Sequence, residues 1–202
     1  ALMTRGYYEM PSDHIYIRPE SWDKPFEAPE HVCSSYDNCH VPWGSTHEKT
    51  WHLVKTLPHV SGLFVWTGFD YLGEPTPYWW PSRSSFFGIV DLAGFPKDVY
   101  YMYKSEWTDE PVLHIFPHWN WKEGEPVDIW AYYNNADEVE LYLNGKSLGV
   151  RQKTDSTYHV SWRVPFTPGT LRAVSRLGGK EVLVKEIHTA GEPARLVLTP
   201  DR

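Results

Sequence analysis

From residue 108 onward the chain alternates apolar and polar positions in short runs. VDIWAYY (127–133), EVELYL (138–143), YHVSWRV (158–164), TLRAVSR (170–176) and EVLVKEI (181–187) follow a period of two. Their β-branched and aromatic content predicts strands. Asn144-Gly145 after EVELYL is the strongest short-range signal for a two-residue hairpin. Strands at this spacing predict an antiparallel sandwich of about seven strands, immunoglobulin-like in class. The run GEPARLVLTP after residue 190 reads as a linker leading into a further module.

The first 107 residues follow another pattern. Gly44-Ser45-Thr46-His47-Glu48 opens a helix with Ser45 and Glu48 at capping-box spacing. Trp51, Val54 and Leu57 supply an apolar stripe, and Pro58 ends it. SGLFVWTGFDY (61–71) carries a continuous apolar run from Leu63 to Trp66, which predicts a strand buried on both faces, as in a parallel sheet. A second helix is predicted from Asp98 through VYYMYKSEW. Helix, buried strand, loop and helix make the pattern of a βα unit. The expected divisions are 1–107, 108–190 and 191–202.

Composition narrows the function. The 202 residues carry 19 Lys+Arg against 26 Asp+Glu, a net charge of −7. That balance argues against a nucleic-acid partner, which needs clustered cations. No run reaches the roughly 18–20 uncharged apolar residues of a membrane span. The chain is also short of the roughly 250 residues of a complete eight-fold α/β barrel. Aromatics are abundant, with 11 Trp, 13 Tyr and 8 Phe; they build cores, and their faces also stack on sugar rings. Cys33 and Cys39 are the only cysteines. Their spacing allows a small local disulfide in an oxidising compartment but no disulfide framework. The start, ALMTRGYYEMPSD, has no leader pattern, and the chain reads as beginning inside a longer polypeptide.

Candidate chemistry gathers after the apolar run. Trp66 is followed by Asp70, Tyr71 and Glu74 in a loop, and barrel active sites lie at strand ends and the loops after them. A Trp there offers a flat apolar platform, and carboxylates accept hydrogen bonds from sugar hydroxyls. On spacing alone, a core Trp66 and a turn-forming Asp70 are the simpler readings. Glycoside hydrolysis needs paired carboxylates, yet no spacing singles out a pair among Glu9, Glu20, Glu27, Glu30, Asp37, Glu48, Asp70, Glu74 and Asp91. The scattered histidines have no metal-site spacing, and no nucleophile elbow, phosphate loop or dinucleotide fingerprint occurs. No cofactor or metal is expected. PHWNW (117–121) fits either an exposed glycan-binding patch or a domain junction, and the junction is the preferred reading.

SGLFVWTGFDYLGEPTPY, SRSSFFGIVDLAGFPKD and YYMYKSEW resemble the last barrel strand and final helix of glycoside hydrolase family 2 enzymes, most closely the β-galactosidases of gut Bacteroides-type bacteria. LYLNGKSLG and GEPARL resemble the immunoglobulin-like domain that follows that barrel. The resemblance implies a C-terminal fragment of a (β/α)8 barrel followed by a sandwich. It implies a retaining mechanism with two glutamates, and Leu2-Met3-Thr4-Arg5-Gly6 resembles the run after the nucleophile. Both catalytic residues are then expected upstream, with none in this chain, and these residues alone are expected to be inactive. By position, Trp66 resembles the galactose platform and Asp70 a loop aspartate, while Asp37 and Glu74 are candidates for shaping the pocket. A β-galactoside substrate, contact with the rest of the parent polypeptide, and a periplasmic or cell-surface location follow as expectations; a homo-oligomer is compatible with the sequence.

One departure is informative. β-Glucuronidases of this family carry Asn-x-Lys before a glycine, where this chain has Ser85-Phe86-Phe87-Gly88. A glucuronide carboxylate would lack its cation, which disfavours that activity. Two other readings stand beside the enzyme fragment. One is a carbohydrate-binding module presenting Trp119, Trp121 or Trp130; the other is a structural spacer, which suits the sandwich best.

Overall fold

The computed structural model describes residues 35–37, 44–75 and 83–200. Cys33, Cys39 and residues 2–6 lie outside them. Seven strands form two antiparallel sheets: β1 (Leu113–Phe116), β2 (Pro126–Tyr133), β3 (Glu138–Leu143), β4 (Lys146–Arg151), β5 (His159–Pro165), β6 (Thr170–Leu177) and β7 (Lys180–His188). One sheet has the order β1-β2-β5 and the other β4-β3-β6-β7. The sandwich expected from the period-two runs is therefore present, with strand ends within a residue or two of the sequence pattern. Leu143 pairs with Lys146. Asn144 and Gly145 both have positive φ, the backbone that a two-residue hairpin requires.

Alternation explains the core. Val127, Ile129, Ala131 and Tyr133 of β2 face Val160, Trp162 and Val164 of β5, and Val139, Leu141, Leu171 and Ala173 close the other side. Trp119 is fully buried among them against Phe166, and its indole N–H donates to the Thr167 carbonyl at 3.0 Å. Among the described residues, PHWNW thus packs into the sandwich itself rather than forming an exposed patch or a junction with the first region. Its central Trp fills the sandwich because a buried ring with a satisfied N–H is the largest apolar block available.

Two helices, α1 (His47–Thr56) and α2 (Asp98–Trp107), precede the sandwich. They cover the outer face of β1 and β2 through a second core of Tyr36, Val99, Met102, Tyr103, Phe116, Tyr132 and Tyr158. Polar links between charged and imidazole groups cross the same junction. The Glu48 carboxylate meets His159 at 2.6 Å, Asp98 meets His114 at 2.8 Å, and Glu106 meets Lys153 at 3.5 Å. Each helix therefore reaches the sheet through a carboxylate in its first turn, placed where the helix dipole favours negative charge.

The capping box is a correction. Thr46 is the N-cap and makes no side-chain cap. The Asp37 carboxylate, from ten residues upstream, accepts the His47 and Glu48 N–H groups at 2.9 and 2.7 Å. A carboxyl that accepts from two orphan N–H groups outcompetes one serine hydroxyl.

The strand expected at 61–71 is also a correction. Phe64 is fully exposed and Phe69 largely so. The contacts of this segment are isolated bridges, Phe69 parallel to Val90 and Leu72 antiparallel to Ser84. Among the described residues its backbone partners all lie in 83–91, so one side only is paired there; Leu63 and Val65 are half-buried, Val65 against the second core, while Phe64 and Trp66 stay exposed.

Candidate functional site

The Leu63–Trp66 run leads into a loop held from beneath by hydrogen bonds. Thr67 N–H donates to the Phe87 carbonyl at 3.1 Å, Ile89 N–H to Thr67 at 3.0 Å, Asp70 N–H to Val90 at 2.9 Å and Ser85 N–H to Tyr71 at 2.8 Å. Gly88 is required where the two strands of this ladder meet: a Cβ on it would stand 2.2 Å from the Asp70 nitrogen and 2.5 Å from the Phe69 carbonyl carbon. The close approach lets Gly88 N–H donate to Asp70 Oδ1 at 2.8 Å. Asp70 Oδ2 meets the Lys97 ammonium at 2.7 Å, with the two side chains 7% and 3% exposed. Lys97 also donates to the Phe86 carbonyl at 3.1 Å. Asp70 thus sits under the loop as its brace.

Above this brace the loop presents Trp66, Tyr71 and Glu74. Trp66 is 62% exposed, which departs from the core reading that spacing favours. Its ring meets Tyr71 edge-on at 6.3 Å, and the Trp66–Thr67 peptide is cis. The Tyr71 hydroxyl donates to the Glu74 carboxylate. Partial burial, and then this bond, push the Tyr71 hydroxyl above its ordinary range. Glu74 adopts φ 45°, a backbone uncommon outside glycine, and so turns its side chain back toward Tyr71. Together they form an aromatic ledge edged by a hydroxyl and a carboxylate, which suits the apolar face and polar rim of a pyranose.

The structure brings together Trp66 and Glu74, with Asp70 beneath them. Asp37 belongs to another neighbourhood. It is buried at the start of α1, and burial first, then Glu48, push its carboxyl up to about 7. Sequence reasoning names Tyr71 in the loop without giving it a role at the site, and it misses Lys97 altogether. The Phe69-Asp70-Tyr71 run after Trp66 signals Tyr71, whereas no local pattern signals Lys97, whose role depends on a contact 27 positions away.

Among the described residues, His47, His114 and His159 serve structure. His47 is buried beside the Tyr103 hydroxyl at 2.8 Å, and burial pushes its imidazole down to about 3. His159 stacks on Trp130 at 3.5 Å and His114 on Tyr101 at 3.8 Å. Among the described residues no group of three His, Cys, Asp or Glu is placed to hold a metal, and no helix is long and apolar enough to cross a membrane. A separate cavity of about 330 Å³ lies along α2, lined by Ile89, Tyr100, Tyr103, Lys104, Trp107, Thr108 and Glu110.

With this geometry established, comparison with known proteins gives a consistent result. Residues 124–183 match a domain of unknown function, DUF4982. The whole chain is 64% identical to "Beta-galactosidase BoGH2A" of Bacteroides ovatus and spans 24% of that protein. It is 38% identical, over 95% of its length, to a putative beta-glucuronidase of Formosa agariphila, of which it spans 19%. A solved beta-glycosidase from Bacteroides vulgatus superposes with a TM-score of 0.78 at 34% identity, covering all of this chain and 28% of that one. Further solved neighbours from Bacteroides cellulosilyticus are described as members of glycosyl hydrolase family 2. The chain spans about a quarter of the length of the relatives it matches. Sequence and fold together make these 202 residues a segment of glycoside hydrolase family 2.

Proposed function

We propose that this segment supplies one wall of the terminal-sugar subsite in a retaining, exo-acting β-galactosidase, with both catalytic glutamates contributed by other parts of the parent polypeptide. The observation that carries the reading is the exposed ledge of Trp66, Tyr71 and Glu74, on a segment 64% identical to a protein named as a β-galactosidase. Residues 1–107 then form the closing part of a (β/α)8 barrel. The exposure of Phe64 and Trp66 in the apolar run, and pairing that among the described residues lies on one side, support this, because a barrel strand needs a neighbour on each side.

In this reading Trp66 stacks on the apolar face of galactose, and Tyr71 and Glu74 exchange hydrogen bonds with its hydroxyls. The Glu74 carboxylate accepts from a sugar hydroxyl, and the Tyr71 phenol, kept protonated, donates or accepts beside it. Neither group attacks the anomeric carbon. Their contribution is binding: they hold galactose in the subsite where the reacting groups meet it. Asp70 holds the loop from below and Asp37 caps α1, so neither touches the sugar.

A β-glucuronidase is the competing assignment, since some relatives carry that name. The residues at the Asn-x-Lys position speak against it: Ser85 and Phe87 are buried, and the nearby Lys97 ammonium is already held by Asp70. The sandwich acts as a brace rather than a glycan reader. Trp119 is fully buried and Trp130 is stacked beneath His159.

The test uses the full-length protein carrying this segment. Aryl β-galactosides are expected to turn over, with aryl β-glucuronides slower by about a hundredfold or more, as a missing charge partner predicts. Trp66→Ala is expected to lower kcat/KM on galactosides by about a hundredfold. Preferred turnover of glucuronides, or an unchanged kcat/KM in Trp66→Ala, overturns the assignment.

A further inference from the structure

We propose that Lys97 is a positioning residue: from the start of α2 it holds Asp70, and through Asp70 it fixes the ledge of Trp66, Tyr71 and Glu74 relative to the sandwich. The proposal rests on the ledge being the sugar wall.

Lys97 is the N-cap residue of α2. Its backbone N–H donates to the Ile89 carbonyl at 2.9 Å, and its carbonyl accepts from Tyr100 at 3.0 Å. The helix that follows is seated by Val99, Met102 and Tyr103, all buried against the sheet. Asp98, the next residue, is held by His114 of β1 at 2.8 Å. The root of the Lys97 side chain is therefore fixed by a packed core. At its other end the ammonium meets Asp70, four residues after Trp66 and one before Tyr71. Asp70 in turn takes Gly88 N–H, so the carboxylate joins both strands of the ladder to the helix.

Stability alone is a poor reason for such a pair. Desolvating two charges offsets most of their attraction, and an apolar pair of similar volume is often as stable. What an ion pair adds over an apolar pair is direction: the carboxylate has to meet the ammonium and the Gly88 N–H together. That constraint reaches Tyr71 across one residue and Trp66 across four. A ledge free to shift by about an ångström would bind sugar less well without altering the reacting groups.

The experiment compares Trp66→Ala, Lys97→Met and the double variant D70N/K97M in the full-length protein, with kinetics read at a temperature where circular dichroism shows every variant folded. Lys97→Met strands a buried carboxylate and is expected to lower Tm. D70N/K97M removes both charges and is expected to recover most of that Tm, while its KM for an aryl β-galactoside stays raised about tenfold with kcat within twofold. A wild-type KM in the double variant overturns the positioning role, as does a loss confined to kcat. If Trp66→Ala retains wild-type kinetics, the ledge itself is misassigned; if it loses activity while the double variant does not, the ledge stands and the tether falls.

Discussion

The sandwich and the segment before it treat their apolar residues in opposite ways. In the sandwich, the inward positions of β2, β3, β5 and β6 are buried, and its one fully enclosed Trp has its N–H satisfied. In residues 61–75, Phe64, Trp66, Phe69 and Leu72 all face outward. Both stretches are rich in large apolar side chains, so composition does not separate them. Pairing does. A strand with neighbours on both sides and a second sheet across from it can enclose its side chains, whereas a segment laddered, among the described residues, to 83–91 on one side leaves many of them open. The first region is organised where it touches the sandwich, through α1 and α2, and opens outward where the ledge lies.

That contrast can be broken from either side. The largest effect is expected from Trp119→Ala, which empties the centre of the sandwich and should cost about 3–5 kcal/mol in denaturant unfolding. Gly88→Ala attacks the other region. Its Cβ would collide with Asp70 and Phe69 backbone, so a loss of about 3 kcal/mol is expected. Hydrogen exchange should show that loss in 66–91 while β2, β3, β5 and β6 keep their protection.

These two sites also show what sequence can and cannot reveal. Trp119 lies in a run whose role was open between surface and junction; its burial is decided by strands up to 50 positions away. The period-two strands and the Asn144-Gly145 hairpin were legible because alternation and turn chemistry are local. The two helices were legible from stripes and stops, but the α1 cap was not, since Asp37 reaches it from outside the capping-box window. The Leu63–Trp66 run misled because continuous apolarity reports a tendency to be buried and not whether partners are present. Of the candidate site, Trp66 and Glu74 were placed together by proximity in the chain. Lys97 stayed hidden because a lysine is almost always a surface residue unless a buried carboxylate awaits it.

The junction between the regions should respond to pH through two opposed groups. His47 falls to about 3 from 6.5, so the folded chain holds fewer protons there and stability drops as pH falls through that window. Asp37 rises to about 7 from 3.8, so the folded chain holds a proton the unfolded chain has released, and stability drops as pH rises through that window. The slopes oppose each other, and stability should be nearly flat from about pH 4 to 6.5. Asp37→Asn should expose the His47 slope, losing about 1 kcal/mol per pH unit as pH falls. His47→Gln should expose the reverse slope. Equilibrium unfolding across a pH series measures both, and parallel slopes in the two variants would contradict the assignment. The smallest effect is expected from His159→Gln, which removes the Glu48 link and the Trp130 stack at the junction and should cost about 1 kcal/mol in Tm-derived stability.

The central claim is that the exposed ledge faces sugar. A crystal structure of the full-length family 2 protein with a galactose-based inhibitor tests it most directly. The account predicts the Trp66 ring stacked within about 4 Å of the bound pyranose, with Tyr71 and Glu74 within hydrogen-bond reach of its hydroxyls. An inhibitor bound elsewhere, with Trp66 packed against protein and turned from the ligand, would contradict it.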